Sequence, residues 1–250
     1  MSELQHPRSR PFELVADVYE RGRPEYPADA IAWLVEQLDL RPGRTVLDLG
    51  AGTGKLTRAL VPAGARVIAV EPGEQMLARL RRVLPDVEAL VGGAEAIPLD
   101  DGSVDAVVVG SAFHWFRHDE AVPEIHRVLS PGGAVALIWN SRNRERPLQQ
   151  EISELIKPLV PPDRPTAGRS ATELTESGLF ALIEQRNFPF VQRLDADGVA
   201  DRIASVSYVA AAPVEQRAEL DRKLREVVAA QGGVVDFAYV AEVYVSRRAA

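Results

Sequence analysis

Short apolar runs alternate with segments of helical periodicity through the first 140 residues of the chain. The predicted strands lie near 45–50, 66–71, 87–92, 104–110 and 133–140, and the predicted helices near 54–63, 73–84 and 118–129. The runs from Val104 to Val109 and from Ala134 to Trp139 are nearly all apolar, which is typical of strands covered on both faces of a parallel sheet. The pattern therefore predicts a doubly wound α/β fold with its ligand at the carboxyl ends of the strands.

Other patterns flank this region on both sides. Between Pro27 and Leu40, apolar side chains spaced as on one helix face predict a helix that begins at a proline. Beyond Asn140 the sequence predicts a short helix at 148–157, a strand at 186–194, helical segments at 199–211 and 213–230, and a last strand at 235–245.

Composition narrows the class of protein. The 250 residues are 46% hydrophobic and 26% charged, which fits one α/β domain with a sizeable core. A net charge of -7 argues against a nucleic-acid partner, because binding phosphates needs a basic face. The absence of cysteine excludes disulfides, thiolate metal sites and a cysteine nucleophile. The sequence has neither an apolar run of membrane-spanning length nor a signal-peptide pattern, so we expect a cytoplasmic protein with no membrane partner.

The most informative segment is VLDLGAGTGKLT, residues 46–57. It predicts a buried strand that runs into a glycine-rich turn and opens a helix. Glycines at 50, 52 and 54 allow a sharp turn and let the backbone approach a ligand with no Cβ in the way. The segment therefore predicts a site for a nucleotide-like molecule.

Asp48, at the end of this strand, discriminates between such ligands. A carboxylate here would repel a pyrophosphate at the helix N-terminus, but would attract a ligand that carries an ammonium and a sulfonium. The spacing also differs from a dinucleotide loop, whose third glycine would stand at Lys55, and from a P-loop, which needs a glycine at Leu49 and a Ser or Thr at Leu56. S-adenosylmethionine is the candidate that remains.

A second apolar run ends in another acid, Glu71. It stands at about the distance from the glycine loop at which a ribose-binding carboxylate is expected in a βαβ unit. A carboxylate that accepts hydrogen bonds from two vicinal hydroxyls binds an unphosphorylated ribose. A solvated strand end is the alternative for this residue.

Four segments, in this order and spacing, resemble the class I S-adenosylmethionine-dependent methyltransferases of the small-molecule "methyltransferase type 11" kind. They are VLDLGAGTGKLT, RVIAVEPGEQML, GGAEAIPLDDGSVDAVVVGSAFHWF and LSPGGAVALIWN, and the resemblance is good from Phe12 to Asn140. It implies one methyltransferase domain over 1–250, with a cofactor-binding core at 11–140 and with cap helices and edge strands at 141–250. The implied sheet is mainly parallel, seven-stranded and Rossmann-like, with an antiparallel edge hairpin and a small helical cap.

The resemblance also implies the residues that contact the cofactor, S-adenosylmethionine, and its product, S-adenosylhomocysteine. These are Tyr19, Arg23, Asp48, Gly50, Ala51, Gly52, Thr53, Gly54, Glu71, Pro72, Met76, Ala94, Glu95, Ala112 and Phe113. Arg23 is a candidate for the methionine carboxylate, because a guanidinium binds a carboxylate through two hydrogen bonds. A surface turn is the alternative for its segment.

His114 lies in SAFHWF, directly after the fourth predicted strand. It is a candidate general base toward the acceptor, because a neutral imidazole accepts a proton near neutral pH. Cofactor binding or a role in holding the loop are its alternatives. The candidate substrate-pocket residues are Trp115, Trp139, Asn140, Arg142 and Tyr208. If the acceptor is a carboxylate, Arg142 and Arg144 are the candidates to bind it.

We therefore expect in-line methyl transfer to a small-molecule acceptor, with no metal. His118, Asp119, Glu120 and His126 belong to a predicted helix whose apolar face points elsewhere, so we do not expect them to form a metal site. Two alternatives stay open: a regulatory module that binds S-adenosylmethionine without transferring methyl, and an NAD(P)-dependent oxidoreductase, which the glycine spacing and Asp48 disfavour. The sequence predicts neither the oligomeric state nor the atom that is methylated.

Overall fold

The computed structural model describes residues 21–162 and 167–249. Its strands are β1 (Thr45–Leu49), β2 (Arg66–Glu71), β3 (Glu88–Val91), β4 (Val104–Gly110), β5 (Leu129–Arg142), β6 (Phe180–Asp195) and β7 (Val234–Arg248). Its α-helices are α1 (Ala28–Gln37), α2 (Lys55–Leu60), α3 (Glu74–Val83), α4 (His118–Val128), α5 (Pro147–Ile156), α6 (Ala167–Glu176), α7 (Ala196–Ala204), α8 (Ser207–Ala210) and α9 (Val214–Ala230). None of the helices in these ranges is long and apolar enough to cross a membrane.

In the described part of the chain, the strands form one seven-stranded sheet in the order β3-β2-β1-β4-β5-β7-β6. Strands β1 to β5 pair in parallel, while β7 pairs antiparallel with both β5 and β6. The chain runs outward from β1 to β3 and then returns to β4 on the other side of β1. Such a reversal of strand order opens a crevice at the carboxyl ends of the central strands. The structure thus confirms the predicted doubly wound sheet with an antiparallel pair at one edge.

Burial explains why the central strands could be predicted from the sequence. Strands β1, β4 and β5 are covered on both faces, so that residues 106–109 and 135–138 are almost inaccessible to solvent. One apolar cluster packs on each face of the sheet. Because neither face needs polar positions, these strands appear as continuous apolar runs rather than as alternating patterns.

A third apolar cluster forms the helical cap. Helices α5, α7, α8 and α9 pack around the first half of β7, through side chains such as Ile152, Val199 and Leu224. The strand contributes Phe237 and Tyr239, both fully buried. The edge pair β6 and β7 is therefore not a tight hairpin, because α7, α8 and α9 are inserted between its strands.

Several boundaries beyond β5 differ from the prediction. Strand β6 begins at Phe180 rather than near 186. Its apolar residues Leu182 and Ile183 are exposed and a polar run follows at 184–187, so this edge segment lacks the alternation of a half-buried strand. Helix α6 was not predicted at all, since it is largely polar and buries Ala171 and Leu174. The segment predicted as one helical stretch at 199–211 is divided at residues 205–206 into α7 and α8.

The N-terminus of α7 yields the first testable prediction. The Oδ1 atom of Asp195 accepts a hydrogen bond of 2.8 Å from the Gly198 N–H and so caps the helix. Asp195→Ala should lower the free energy of unfolding by about 1 kcal/mol, because one terminal N–H loses its partner. Denaturant titration measures this change. Asp195→Asn keeps a capping oxygen and should preserve most of the stability; equal losses in both variants would contradict the capping role.

Candidate functional site

A cleft lies at the carboxyl ends of β1 and β4, where the strand order reverses. It is lined by Arg23, Pro24, Tyr26, Asp48, Gly50, Ala51, Gly52, Thr53, Lys55, Leu56, Gly110, Ser111 and Asn140. The crevice rule for doubly wound folds predicts a ligand site here. The predicted site residues that line the cleft are Arg23, Asp48, Gly50, Ala51, Gly52, Thr53 and Asn140.

The glycine loop is fixed by backbone hydrogen bonds and by one carboxylate. The N–H groups of Gly50 and Ala51 donate to the Val70 carbonyl at 2.8 and 3.1 Å. Glu71 accepts from Gly52 N–H through Oε2 at 2.9 Å and from Gly73 N–H through Oε1 at 2.8 Å. Glu71 therefore holds the loop after β1 against the start of α3, a bracing role that the sequence did not predict for it.

Gly52 combines a backbone conformation that favours glycine with open space on the side of the cleft. Its φ of +58° lies in the left-handed region, and a Cβ built there meets no atom within 4 Å. Because Gly52 lines the cleft, open space beside it lets a ligand approach the backbone closely.

Asp48 is the most unusual group of the site. It is fully buried, and its Oδ2 atom accepts a hydrogen bond of 2.6 Å from the Thr57 hydroxyl. Its Oδ1 atom is buried and has no hydrogen-bond partner. Burial raises the pKa of Asp48 to about 6, although the hydrogen bonds from Thr57 act in the opposite direction. A buried carboxylate oxygen of this kind is costly, and a donor supplied by a ligand would offset that cost.

Residues 21–27, which we call the N-terminal strap, connect the glycine loop to the cap. Glu25 accepts from Lys55 Nζ at 2.7 Å and from Arg58 at 2.8 Å, both on α2. At the other end, Arg23 donates to the Ser205 carbonyl at 3.0 Å. The strap thus lies across the open side of the cleft.

The strap is also attached to the sheet. The Asn140 side-chain amide donates to the Glu25 carbonyl at 3.2 Å. The Tyr26 hydroxyl approaches Gly110 so closely that a Cβ there would lie 2.6 Å from it. The cleft is therefore bounded by the strand ends below and by the strap above.

His114 lies in a short 3₁₀ turn at 113–115, after β4. Its Nδ1 atom accepts a hydrogen bond of 3.3 Å from the Trp139 indole N–H. An indole is only a donor, and a neutral imidazole has a single acceptor nitrogen. In this geometry neutral His114 carries its proton on Nε2. The base role predicted from sequence would require the bond to Trp139 to break.

The remaining predicted cofactor residues lie next to the cleft rather than in its lining. Glu95 accepts from the Arg117 N–H at 2.9 Å, beside the start of α4. Phe113 is fully buried in the core and stacks on His118 with ring centroids 4.6 Å apart. The others that do not line the cleft are Gly54, Glu71, Pro72, Met76, Ala94 and Ala112. Tyr19 lies outside the described residues.

Apart from Asn140, which lines the cleft, the predicted substrate residues divide into two groups. Trp115 and Trp139 surround His114, with Trp115 at a ring-centroid distance of 4.6 Å. Arg142 and Tyr208 belong to the cap side, where Arg142 donates to Gln149 Oε1 at 3.3 Å and to the Ser153 hydroxyl at 3.2 Å.

The cleft lining also includes Lys55, Gly110 and Ser111, which are not among the site residues predicted from the sequence. Ser111 has a φ of +56°, a strained conformation for a non-glycine residue that is found preferentially at functional sites. The position of Ser111 directly after the fourth strand could have indicated a site residue. In the described ranges, no group of three or more His, Asp or Glu residues is arranged to hold a metal ion.

Comparison with known proteins defines the class. A family model described as a methyltransferase domain matches residues 47–137. The chain is 40% identical over 218 residues to an uncharacterized methyltransferase of Mycobacterium tuberculosis strain H37Rv, covering 87% of this chain and 85% of that protein. It is 36% identical over 245 residues to an uncharacterized methyltransferase of Schizosaccharomyces pombe, covering 94% of this chain and 95% of that one.

A solved structure supports the fold. A protein of Anaeromyxobacter dehalogenans, assigned as a type II methyltransferase, superposes with a TM-score of 0.68 at 24% identity, over 90% of this chain and 97% of that one. The fold and the cleft define a class I methyltransferase. The chain belongs to the S-adenosylmethionine-dependent methyltransferase family and is an enzyme of that class.

The open space beside Gly52 gives the second prediction. Gly52→Ala should abolish or strongly weaken binding of S-adenosylhomocysteine, measured by calorimetry, because the added methyl group would occupy the cleft.

Gly102→Ala is the matched control, since Gly102 has a similar φ of +62° and lies before β4, at the opposite end of the sheet. Each substitution should destabilise the fold by roughly 1–2 kcal/mol, the cost of a left-handed alanine. Only Gly52→Ala should affect binding; equal affinities in the two variants would contradict the proposed ligand position.

Proposed function

We propose that S-adenosylmethionine binds in the cleft at the ends of β1 and β4, and that its methyl group is transferred to a small-molecule acceptor by in-line displacement. The single observation that carries this proposal is the Oδ1 atom of Asp48, a buried acceptor without a hydrogen-bond partner in the lining of the cleft.

The polar groups that line the cleft fit this cofactor. The Asn140 side-chain oxygen is a second buried acceptor without a hydrogen-bond partner in the same lining. Two such acceptors favour a guest that brings N–H donors and positive charge, as the methionine part of the cofactor does. A pyrophosphate brings neither and would be repelled by Asp48. The guanidinium of Arg23 lines the same cleft and has the geometry to bind a carboxylate.

Glu71 is proposed to bind the ribose. Each of its carboxylate oxygens accepts one backbone N–H. A carboxylate oxygen has two lone pairs, and two such oxygens side by side match the vicinal hydroxyls of a ribose. The same side chain would then fix the loop and bind the sugar.

The cofactor, when bound, supplies a methyl group already activated by the positive charge of its sulfonium. The chain has the simpler tasks of orienting the acceptor in line with that methyl and of excluding water. The strap contributes to both, because Glu25 and Arg23 hold it over the cleft. An opening bounded by strap and cap favours a small acceptor over a folded macromolecule.

His114 is proposed to orient the acceptor as a hydrogen-bond donor through Nε2–H. The bond from the Trp139 indole to Nδ1 supports this role, because it occupies the lone pair that a general base would use. A nucleophile that is already ionised has no proton to lose, and methyl transfer to it needs no base.

The buried carboxyl gives a prediction about pH. The pKa of Asp48 rises from 3.8 to about 6 because of burial. The folded state therefore holds the proton more tightly than the unfolded chain, and the wild type loses stability as the pH rises through this interval. Asp48→Asn removes the titrating group, so its stability relative to wild type should rise by roughly 3 kcal/mol over the same interval and then level off.

The same substitution should weaken binding of S-adenosylhomocysteine by about 10- to 100-fold, as expected for the loss of a hydrogen bond to a charged group. Asp86→Asn removes one carboxylate from an exposed position and should leave this affinity unchanged. Chemical denaturation across pH and calorimetry measure the two effects. A variant that binds like wild type and gains no relative stability would contradict the role of Asp48.

The function itself is tested by a screen of small acceptors with a labelled methyl donor. Transfer of label to a small molecule supports the proposal. Binding of S-adenosylhomocysteine without transfer to any acceptor class would favour a regulatory module, and stronger binding of NAD would contradict the cofactor.

A further inference from the structure

Three arginines from different parts of the chain lie around one buried tyrosine beside the cleft. Tyr239 on β7 is fully buried and stands opposite Arg142 on β5 in the antiparallel register. Arg202, from α7, places its Nε 3.0 Å from the Tyr239 hydroxyl and its guanidinium carbon 5.5 Å from the ring centroid. Arg23 donates to the carbonyl of Ser205, which ends the same helix. We call these four side chains the arginine cluster.

The charges of all three arginines influence the Tyr239 hydroxyl. Burial raises the pKa of Tyr239, while the positive charges of Arg202, Arg23 and Arg142 act in the opposite direction. The net shift is upward, so the hydroxyl stays protonated and able to donate. Its hydrogen bond to the Gln192 Oε1 atom is long, at 3.5 Å.

Arg202 is the member whose charge is least compensated. Its exposed fraction is 4%. Among the residues that the structure describes, no carboxylate forms a salt bridge with it, and its Nη1 atom is buried without a hydrogen-bond partner. The C-terminus of α7 offers only about half an elementary charge of negative potential. A buried cation in this state is costly unless an anion joins it.

The cluster is continuous with the proposed cofactor site. Arg23 belongs both to the cluster and to the lining of the cleft. Arg142 follows Asn140 by two positions on β5, so both side chains project from the same face of the sheet. The cluster therefore borders the cleft on the side of β5 and the cap, away from the strands β2 and β3.

We propose that Arg202, Arg142 and Tyr239 bind a carboxylate group of the methyl acceptor, so that the enzyme acts on small carboxylic acids. The inference rests on the proposed function and adds the substrate class. Arg23 would bind the carboxylate of the cofactor, and the other two arginines that of the acceptor. A fork of guanidinium N–H groups matches the planar carboxylate, and the Tyr239 hydroxyl adds a further donor.

The first test measures anion binding directly, with and without S-adenosylhomocysteine. The probe is acetate, the neutral counterpart is acetamide, and chloride keeps the ionic strength constant. We expect acetate alone to shift the NMR signal of the Arg202 Nε–H group, which is assigned by its loss in Arg202→Met. An unmoved signal, or an equal response to acetamide, would overturn the proposal. A response to inorganic phosphate but not to acetate would overturn the carboxylate assignment.

The second test pairs carboxylic acids with their primary amides as methyl acceptors. We expect transfer to acids and not to amides, and an increase in the KM of an accepted acid of about 10- to 100-fold in Arg202→Met. Arg202→Lys keeps the charge and should recover part of the loss. Arg222→Met is the control, because Arg222 is exposed on α9 and pairs with Glu219 and Glu226.

Affinity for S-adenosylhomocysteine separates the proposed carboxylate site from the proposed function. It should be the same in Arg202→Met as in wild type. If Arg202→Met weakens binding of S-adenosylhomocysteine as much as it raises the KM of the acid, the cluster serves the cofactor and the proposal is wrong. A preference of the wild type for neutral acceptors would also overturn the proposal. Failure of the wild type to bind S-adenosylhomocysteine would instead defeat the proposed function, and the acetate titration would still decide whether the cluster binds carboxylates.

Discussion

The site depends on a carboxylate buried at the end of a strand with only half of its hydrogen bonding satisfied. Thr57 from α2 satisfies one oxygen of Asp48, while the other is left at the edge of the cleft. The fold imposes this state, because β1 is an interior strand of the sheet and the Asp48 side chain at its end is inaccessible to solvent. A protein that keeps such an unfavourable group gives up stability, and ligand binding can recover it.

The elements around Asp48 follow from that constraint. The loop after β1 turns sharply beside the buried acid, and Glu71 fixes the turn by accepting two backbone N–H groups. The strap then covers the cleft and reaches from Lys55 on one side to Ser205 on the other. Cofactor loop and cap are thereby connected through one short segment, and Arg23 within it belongs to both halves of the site.

The sequence was a good guide wherever a single local pattern determines the structure. Strands β1, β4 and β5 are apolar because both faces are buried, and the glycine loop follows from backbone sterics. The region beyond β5 is different. Apolar residues at the start of the edge strand β6 are exposed, and α6 is largely polar, so the apolar pattern there does not follow burial. The arginine cluster is less visible still, because Arg202 and Tyr239 meet only through the packing of α7 on β7. The same holds for the bond from Trp139 to His114, which changes the chemistry expected of the histidine.

A crystal structure of the chain with S-adenosylhomocysteine tests the central claim most directly. The account predicts that the product's amino group lies within hydrogen-bond distance of the Asp48 Oδ1 atom, or joined to it by one water, with the ribose hydroxyls at Glu71. Product bound elsewhere, or lying with its amino group remote from Asp48, would contradict it.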